Sequence, residues 1–103
     1  MDCNEELSSV RYDVSSATTF NRLEIRLDGR LAAEPTFFEG VTAYHYEHDD
    51  VFATYYDEIA ITAFVDDAPI AAGSAEPAYR HDGMVHIAEG VLALQPLPAF
   101  APR

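Results

Sequence analysis

Apolar and polar residues alternate along three separate segments of the chain, and this period of two predicts β-strands. The segments are Val10–Val14, Leu23–Leu27 and Ile59–Val65. Successive side chains of a strand point to opposite faces of its sheet, so an alternating segment can bury one face and leave the other in water. We therefore expect each segment to be a strand that is buried on one side.

Turn signals directly follow the second and third of these segments, and another lies further along the chain. They are Asp28-Gly29, Asp66-Asp67 and Asp82-Gly83. Glycine accepts the positive φ that tight hairpin turns require, and aspartate tolerates it better than most residues. Because strands joined by such turns run antiparallel, the sequence predicts a β-meander.

Two local features of these strands depend on the register. A two-residue loop at the first turn would pair Leu27 with Arg30, whereas a three-residue loop would pair it with Leu31 and keep the apolar face continuous. We expect the longer loop for that reason. Towards the C-terminus, Glu89-Gly90 interrupts an apolar run and predicts a bulge or a second turn.

The segment near residues 50–64 fits two kinds of element. Apolar residues recur there at the i,i+4 spacing of a helix, starting from Val51 and Tyr55, behind Asp50 as an N-cap. Most of the segment is nevertheless β-branched or aromatic, which favours a strand. We therefore expect a mainly β fold, a single small antiparallel β-meander, with an α+β variant carrying one short helix near residues 50–64 as the alternative.

The length of 103 residues allows one domain with a modest core. We expect a frayed N-terminus over 1–8, a single globular domain over 9–95 and a Pro-rich extended tail over 96–103. The lone Cys3 allows no internal disulfide. No apolar run reaches the ~18–20 residues of a membrane span, and the acidic start is unlike a signal peptide. These features predict a cytoplasmic protein.

The charge of the chain limits the partners that it can attract. Eighteen Asp and Glu against six Arg give a formal charge of −12, and there is no Lys. A phosphate backbone or an anionic membrane surface would be repelled, so we expect no direct nucleic-acid or membrane binding and a basic protein or nucleoprotein as partner. A GC-rich genome or a halophilic proteome is the competing explanation for this composition.

The segment Tyr44–Glu58 combines four tyrosines, two histidines and five carboxylates without a positive side chain. Carboxylates supply charge for a basic partner, and tyrosines supply rigid contact area with a polar tip. We expect Tyr44 and Tyr55 to be core or half-core residues. The predicted partner-binding residues are Tyr46, Glu47, Asp49, Asp50, Tyr56, Asp57 and Glu58, with Tyr46 and Tyr56 as the contact anchors.

Catalytic and metal-binding chemistry has less support in the sequence. No nucleophile elbow or Gly-rich phosphate loop is present, so we predict no catalytic residue, no cofactor and a non-enzymatic protein. Imidazole and carboxylate can hold zinc, which leaves a small metal-binding module or metal-dependent enzyme as an alternative. Its ligands would be His45, Glu47, His48 and His86.

The small size, the single domain, the strong negative charge and the clustered Tyr with Asp and Glu resemble the small phage-encoded inhibitors, including anti-CRISPR proteins. The resemblance covers bulk properties of the whole chain. It implies an inhibitor that occupies the basic surface of a nucleic-acid-binding machine by charge mimicry and steric occlusion, as a monomer or a homodimer. An immunity protein or antitoxin that neutralises a basic toxin is the alternative with the same physics.

Overall fold

The computed structural model describes residues 6–98, and all regular structure in that part of the chain is β-strand. The predicted mainly β fold is therefore confirmed, and the alternative helix near residues 50–64 is wrong. None of the described residues forms a helix that could span a membrane. The strands are β1 (Leu7–Leu27), β2 (Arg30–Ala33), β3 (Thr36–Asp50), β4 (Ile59–Val65), β5 (Ala68–Ala75), β6 (Arg80–Asp82), β7 (Val85–Ala93) and β8 (Gln95–Pro96).

The long strand β1 is the centre of the sheet. Along one edge it pairs with β2 and β3, which together return antiparallel to it from the turn at Asp28-Gly29. Along its other edge, its first half pairs with β7 and its second half pairs with β4. Each half of β1 therefore lies between two neighbours, and both halves contribute to one core.

The sheet is mixed rather than a simple meander. β7 runs parallel to β1, from the pair Leu7–Val85 to the pair Ser15–Ala93. The next strand in the chain after β7 is β8, and it pairs with β5. The row of hydrogen-bonded strands that starts at β1 and continues through β4 and β5 therefore ends at β8, immediately after β7 in the chain. The sheet consequently curls around its apolar side chains.

The core changes sides along β1. Val10, Tyr12 and Val14 are buried in the first half, whereas Leu23 and Ile25 are buried in the second. The buried positions are even-numbered first and odd-numbered later, and the pairing with β3 is irregular between Ser15 and Phe20 and again between Phe20 and Arg22. This interruption of the ladder lets one strand present its apolar face to the same core from both halves. The remaining core residues are Phe20, Leu27, Tyr46, Ile59, Ile61, Ala63, Ala71, Leu92 and Leu94.

The first turn is shorter than predicted. Leu27 pairs with Arg30, so the loop contains only Asp28 and Gly29, with φ values of 52° and 84°. Two residues with positive φ match the twist of the flanking strands, which favours this tight turn. The register between β1 and β2 shifts after Ile25, and this shift changes which residues face each other without the need for a longer loop.

The other predicted turns differ in detail. Asp66-Asp67 forms a two-residue loop between β4 and β5, with φ of 56° at Asp66. The third loop consists of Gly83 and Met84 and not of Asp82-Gly83, because Asp82 already pairs with Val85. Glycine supplies the positive φ there, and this requirement determines which residues form the loop.

The predicted bulge or turn at Glu89-Gly90 is wrong, since β7 keeps a regular ladder with β1 through both residues. Packing gives a different reason for the glycine. A Cβ atom at Gly90 would lie 2.6 Å from Cε2 of Tyr12. Gly90 therefore makes room for a buried aromatic ring.

The domain boundaries also shift. Leu7 and Ser8 already belong to β1, and Ser8 is buried, so this part of the predicted frayed terminus is wrong. At the other end, Pro96 lies in β8 and the amide of Leu97 donates to the carbonyl of Ile70 at 2.9 Å. The start of the predicted tail is thus paired with β5. The rest of both predictions, over 1–5 and 99–103, lies outside the described residues.

Candidate functional site

The seven predicted partner-binding residues lie at the end of β3 and in the irregular segment of residues 51–58, which we call the β3–β4 loop. For the segment after β3, the predicted strand is correct from Ile59 onwards and wrong over the β3–β4 loop. Among the seven, the side chains differ in exposure. Tyr46 is buried, Asp50 and Tyr56 are half-buried, and the exposed members are Glu47, Asp49, Asp57 and Glu58.

Tyr46 is a core residue and not a contact anchor. Its side chain is 4% exposed, and its ring stacks on that of His48 with centroids 6.3 Å apart. Burial raises the pKa of the Tyr46 hydroxyl to about 12, and nearby negative charge adds to the shift. The prediction failed because even-numbered residues of β3 face the core beside Tyr12, a phase that alternation within an aromatic-rich segment does not reveal.

Tyr55 is the more exposed of the two neighbouring tyrosines in the loop. It is 49% exposed, and its ring packs edge-on against Tyr79 and His86, at 5.0 and 5.2 Å between centroids. Tyr55 was expected to be a core or half-core residue; it is not part of the core, and about half of its surface is exposed. Tyr44 is half-buried against the core, as predicted.

Tyr56 connects the loop to the end of β3. Its hydroxyl donates to Oδ2 of Asp50 at 2.5 Å, and Nε2 of His48 lies 3.1 Å from the same oxygen. Burial, and then the hydrogen bond to Asp50, raise the pKa of Tyr56 well above its ordinary value. The hydroxyl therefore stays protonated at neutral pH and acts as a hydrogen-bond donor.

His48 and Tyr56 line an open cleft of about 410 Å³. Its other walls come from the β1–β2 turn and from β2, including Asp28 and Arg30. Thr54 of the β3–β4 loop also lines the cleft, beside that turn. Its lining mixes acidic, basic and apolar groups.

The β3–β4 loop is tied to the sheet at its C-terminal end and in its middle. Oδ1 of Asp28 accepts from the amides of Asp57 and Glu58 at 2.8 and 2.9 Å, and the amide of Asp28 donates to the carbonyl of Glu58 at 3.0 Å. Sequence reasoning used Asp28 only as a turn residue and missed this second role. In the middle of the loop, the hydroxyl of Ser8 donates to the carbonyl of Thr54 at 2.7 Å. The loop therefore has a defined conformation.

Apolar side chains project from this fixed loop. Phe52 is 82% exposed and Val51 is 53% exposed. They follow Asp49 and Asp50 and precede the second carboxylate pair. Sequence reasoning missed Phe52, although a large apolar residue between two acidic pairs was a usable signal. We call the exposed set of Asp49, Val51, Phe52, Tyr55, Asp57 and Glu58 the loop surface.

Four arginines pair with carboxylates outside the loop surface. Each lies within 4 Å of its partners: Arg11 with Glu47, Arg22 with Glu24 and Glu34, Arg26 with Glu24, and Arg80 with Glu89. None of the ion pairs formed by residues 6–98 involves Asp49, Asp57 or Glu58. The charge of these three carboxylates is therefore available to a partner.

The alternative metal ligands are not brought together. His45 and Glu47 lie on the outer face of β3, whereas His48 lies on the inner face with Asp50. His86 lies on β7, separated from β3 by β1, and contacts His81, with ring centroids 3.9 Å apart. Among residues 6–98, no three His, Cys, Asp or Glu side chains are grouped so that they could hold a metal ion.

His45 instead forms a polar contact between strands. Its Nδ1 lies 2.7 Å from Oδ1 of Asp13 on β1, and its Nε2 lies 3.6 Å from Oε1 of Glu47. The hydrogen bond to Asp13 is the main cause that raises the pKa of His45 above its ordinary value. The outer face of this part of β3 is thus a row of charged groups.

Comparisons of the chain with protein-family models, with curated proteins and with solved structures found no match.

Proposed function

We propose that this protein is a small non-enzymatic inhibitor that binds a basic protein surface, such as that of a nucleic-acid-binding complex, through its loop surface. The carrying observation is the exposure of Phe52 between two pairs of carboxylates on a loop that the sheet holds in place. The inhibitor would act in the cytoplasm by occluding the site where its partner holds nucleic acid. An anti-CRISPR-like protein would be one example.

The combination of apolar and acidic groups supports this proposal. Burying one exposed Phe, Leu or Val side chain in a partner contributes about 1.5–3 kcal/mol. Exposed ion pairs contribute only ~0–1 kcal/mol each, and they chiefly steer the approach of a basic partner and determine its orientation. Phe52 would therefore supply much of the affinity, whereas Asp49, Asp57 and Glu58 would select for positive charge.

The fixed conformation of the loop is a second support. A loop that must be ordered on binding loses about 0.5–1.5 kcal/mol for each immobilised side chain. The carboxylate of Asp28 accepts from two amides of the loop, and the hydroxyl of Tyr56 donates to Asp50. These hydrogen bonds hold the loop before any partner arrives. Less of the binding free energy is then spent on ordering.

A matched pair of charge variants tests the proposal. D49N/E58Q removes one carboxylate from each side of the loop, and E39Q/D67N removes the same charge at the opposite end of the molecule. Each tagged variant and the wild type would capture proteins from an extract of the source organism at ~0.15 M salt, near the physiological ionic strength. Asp50 is left unchanged because it accepts the hydrogen bond of Tyr56.

We expect the wild type and E39Q/D67N to retain the same basic nucleic-acid-binding protein, and D49N/E58Q to lose it. Added duplex DNA should displace that protein, because both ligands would occupy one basic surface. The association rate constant should also fall at least about tenfold between low and high salt, as for other steered complexes. Equal capture by both variants, or capture that DNA does not affect, would contradict the proposal.

A further inference from the structure

A long strand edge lies directly beside the loop surface. Among the strands of residues 6–98, β3 pairs only with β1, so its other edge has no hydrogen-bonded neighbour. Its pairing with β1 is regular from Ala43 to Asp50 and irregular between Ala43 and Val41. A regular strand directs every second pair of backbone N–H and C=O groups away from its neighbour. The stretch 43–50 is therefore a template for one more strand.

We propose that the basic partner binds by strand addition: an extended segment with Arg or Lys at alternate positions pairs with the free edge of β3 over residues 43–50. This inference rests on the proposed function, and it names the mode of binding and the partner's sequence pattern.

The side chains of β3 account for the alternation. His45, Glu47 and Asp49 lie exposed on the outer face of this stretch. Residues on one face of a strand recur every ~6.6–6.8 Å, and side chains directly opposite each other on neighbouring strands are about 4.5–5.5 Å apart. Basic residues at alternate positions of an added strand would thus meet Glu47 and Asp49.

The inner face accounts for the positions in between. Tyr46 is buried there, and His48 and Asp50 already contact each other and Tyr56. An added strand would place its intervening side chains beside the buried Tyr46 ring and the paired His48 and Asp50, where small or neutral residues fit without losing a charge to burial. The expected pattern is a basic residue followed by a small or neutral one.

Charge also decides against a second copy as the occupant. Each chain carries −12, and pairing two β3 edges would bring two such charges together. A basic segment gains attraction at the same positions. Because β3 leads directly into Val51 and Phe52, the same segment can continue over these exposed apolar side chains.

Three peptides test strand addition. The probe alternates Arg and Thr over about eight residues, which at ~3.3 Å per residue matches the regular edge. The first control groups the same arginines at one end. The second keeps the alternating order but carries N-methyl groups on two adjacent central amides, so that neither edge of the peptide can pair. Affinity and the hydrogen exchange of backbone amides at 43–50 would be measured for each.

We expect the alternating peptide to bind at least about tenfold more tightly than either control, because the N-methylated control loses main-chain hydrogen bonds and the grouped control loses the match of its arginines to Glu47 and Asp49. It should also slow the exchange of alternate amides between 43 and 50. E47Q/D49N should weaken its binding, whereas E39Q/D67N, with the same change in charge, should not.

Three outcomes would overturn the inference, and they are distinguishable. Equal binding of the N-methylated peptide without amide protection would leave a charge-driven interaction and reject strand addition. Failure of all three peptides to bind at low salt would count against the proposed function as well. Protection of the same amides in the protein alone, together with a dimeric mass, would identify a second copy as the occupant of the edge.

Discussion

The two ends of the molecule each expose a phenylalanine, but their surroundings differ. Phe52 lies in the β3–β4 loop between carboxylate pairs, on a segment fixed by hydrogen bonds to Asp28. Phe38 is fully exposed on β3 near Thr19 and Val65. One residue type thus occurs once in an irregular loop between two pairs of carboxylates and once on a strand. Exposure alone does not mark a binding site, and the proposed interface depends on this difference in local setting.

The largest expected effect comes from truncating each phenylalanine. F52A should weaken binding of the captured partner by about 2 kcal/mol, roughly 30-fold, since the buried ring area is lost. F38A should leave the affinity unchanged. Neither variant should alter the melting temperature much, because both rings are exposed. Calorimetric titration of the two variants measures the difference, and a larger loss for F38A would move the interface to the opposite end.

The tethers of the two ends can be compared next. Asp28 holds the β3–β4 loop, and Asn21 holds the β4–β5 turn by accepting from the amide of Asp66 at 3.0 Å. D28G keeps the positive φ but removes an acceptor of two amides, so it should destabilise the fold by about 1–2 kcal/mol. N21A removes the acceptor of only one amide, together with a side-chain hydrogen bond of 3.2 Å to Asp66, and should cost less than about 1 kcal/mol.

Denaturant unfolding and amide exchange would check these two variants. D28G should speed the exchange of the amides of Asp57 and Glu58 and weaken partner binding, whereas N21A should do neither. D28N retains an oxygen acceptor and tolerates positive φ, so it should restore most of the stability. Normal loop exchange in D28G would show that Asp28 does not hold the loop.

The smallest effect concerns pH. The pKa of His45 is raised in the folded state, mainly by Asp13, so protonated His45 favours folding. Its contribution is fully present below the ordinary histidine pKa of ~6.5 and is lost as pH rises through the raised value. The melting temperature should therefore fall slightly over this range in the wild type. D13N should remove much of this His45-linked slope, and an unchanged slope would assign the pH dependence to other groups.

How much of the fold could be predicted from the sequence differs from one region of the chain to another. Ile59, Ile61 and Ala63 alternate cleanly and are all buried in β4. In β1 the buried phase reverses because the ladder is interrupted between Ser15 and Phe20, and local periodicity cannot indicate where a sheet curls. The parallel pairing of β1 with β7 joins segments far apart in the chain, so no turn signal announces it.

In the candidate site, too, some residues could be predicted from the sequence and others could not. The exposure of Asp49, Asp57 and Glu58 could be predicted because charged side chains favour water. The tyrosines could not be assigned in this way: Tyr46 is buried, whereas Tyr55 is 49% exposed. Aromatic residues suit both a core and an interface, so composition does not separate the two uses. The tether from Asp28 also depends on tertiary structure, because it joins a turn to a loop some thirty positions later.

The pairing of Leu7 with Val85 has a consequence for how the protein is made. During translation, β1 is made before β7, and its N-terminal half has only β3 as a neighbour until β7 is synthesised. Contacts between distant parts of a chain slow folding, and unpaired strand edges favour association in the meantime. Truncation before β7 would leave a nascent chain that exposes Val10 and Val14. The acidic composition would then help to keep incomplete chains apart.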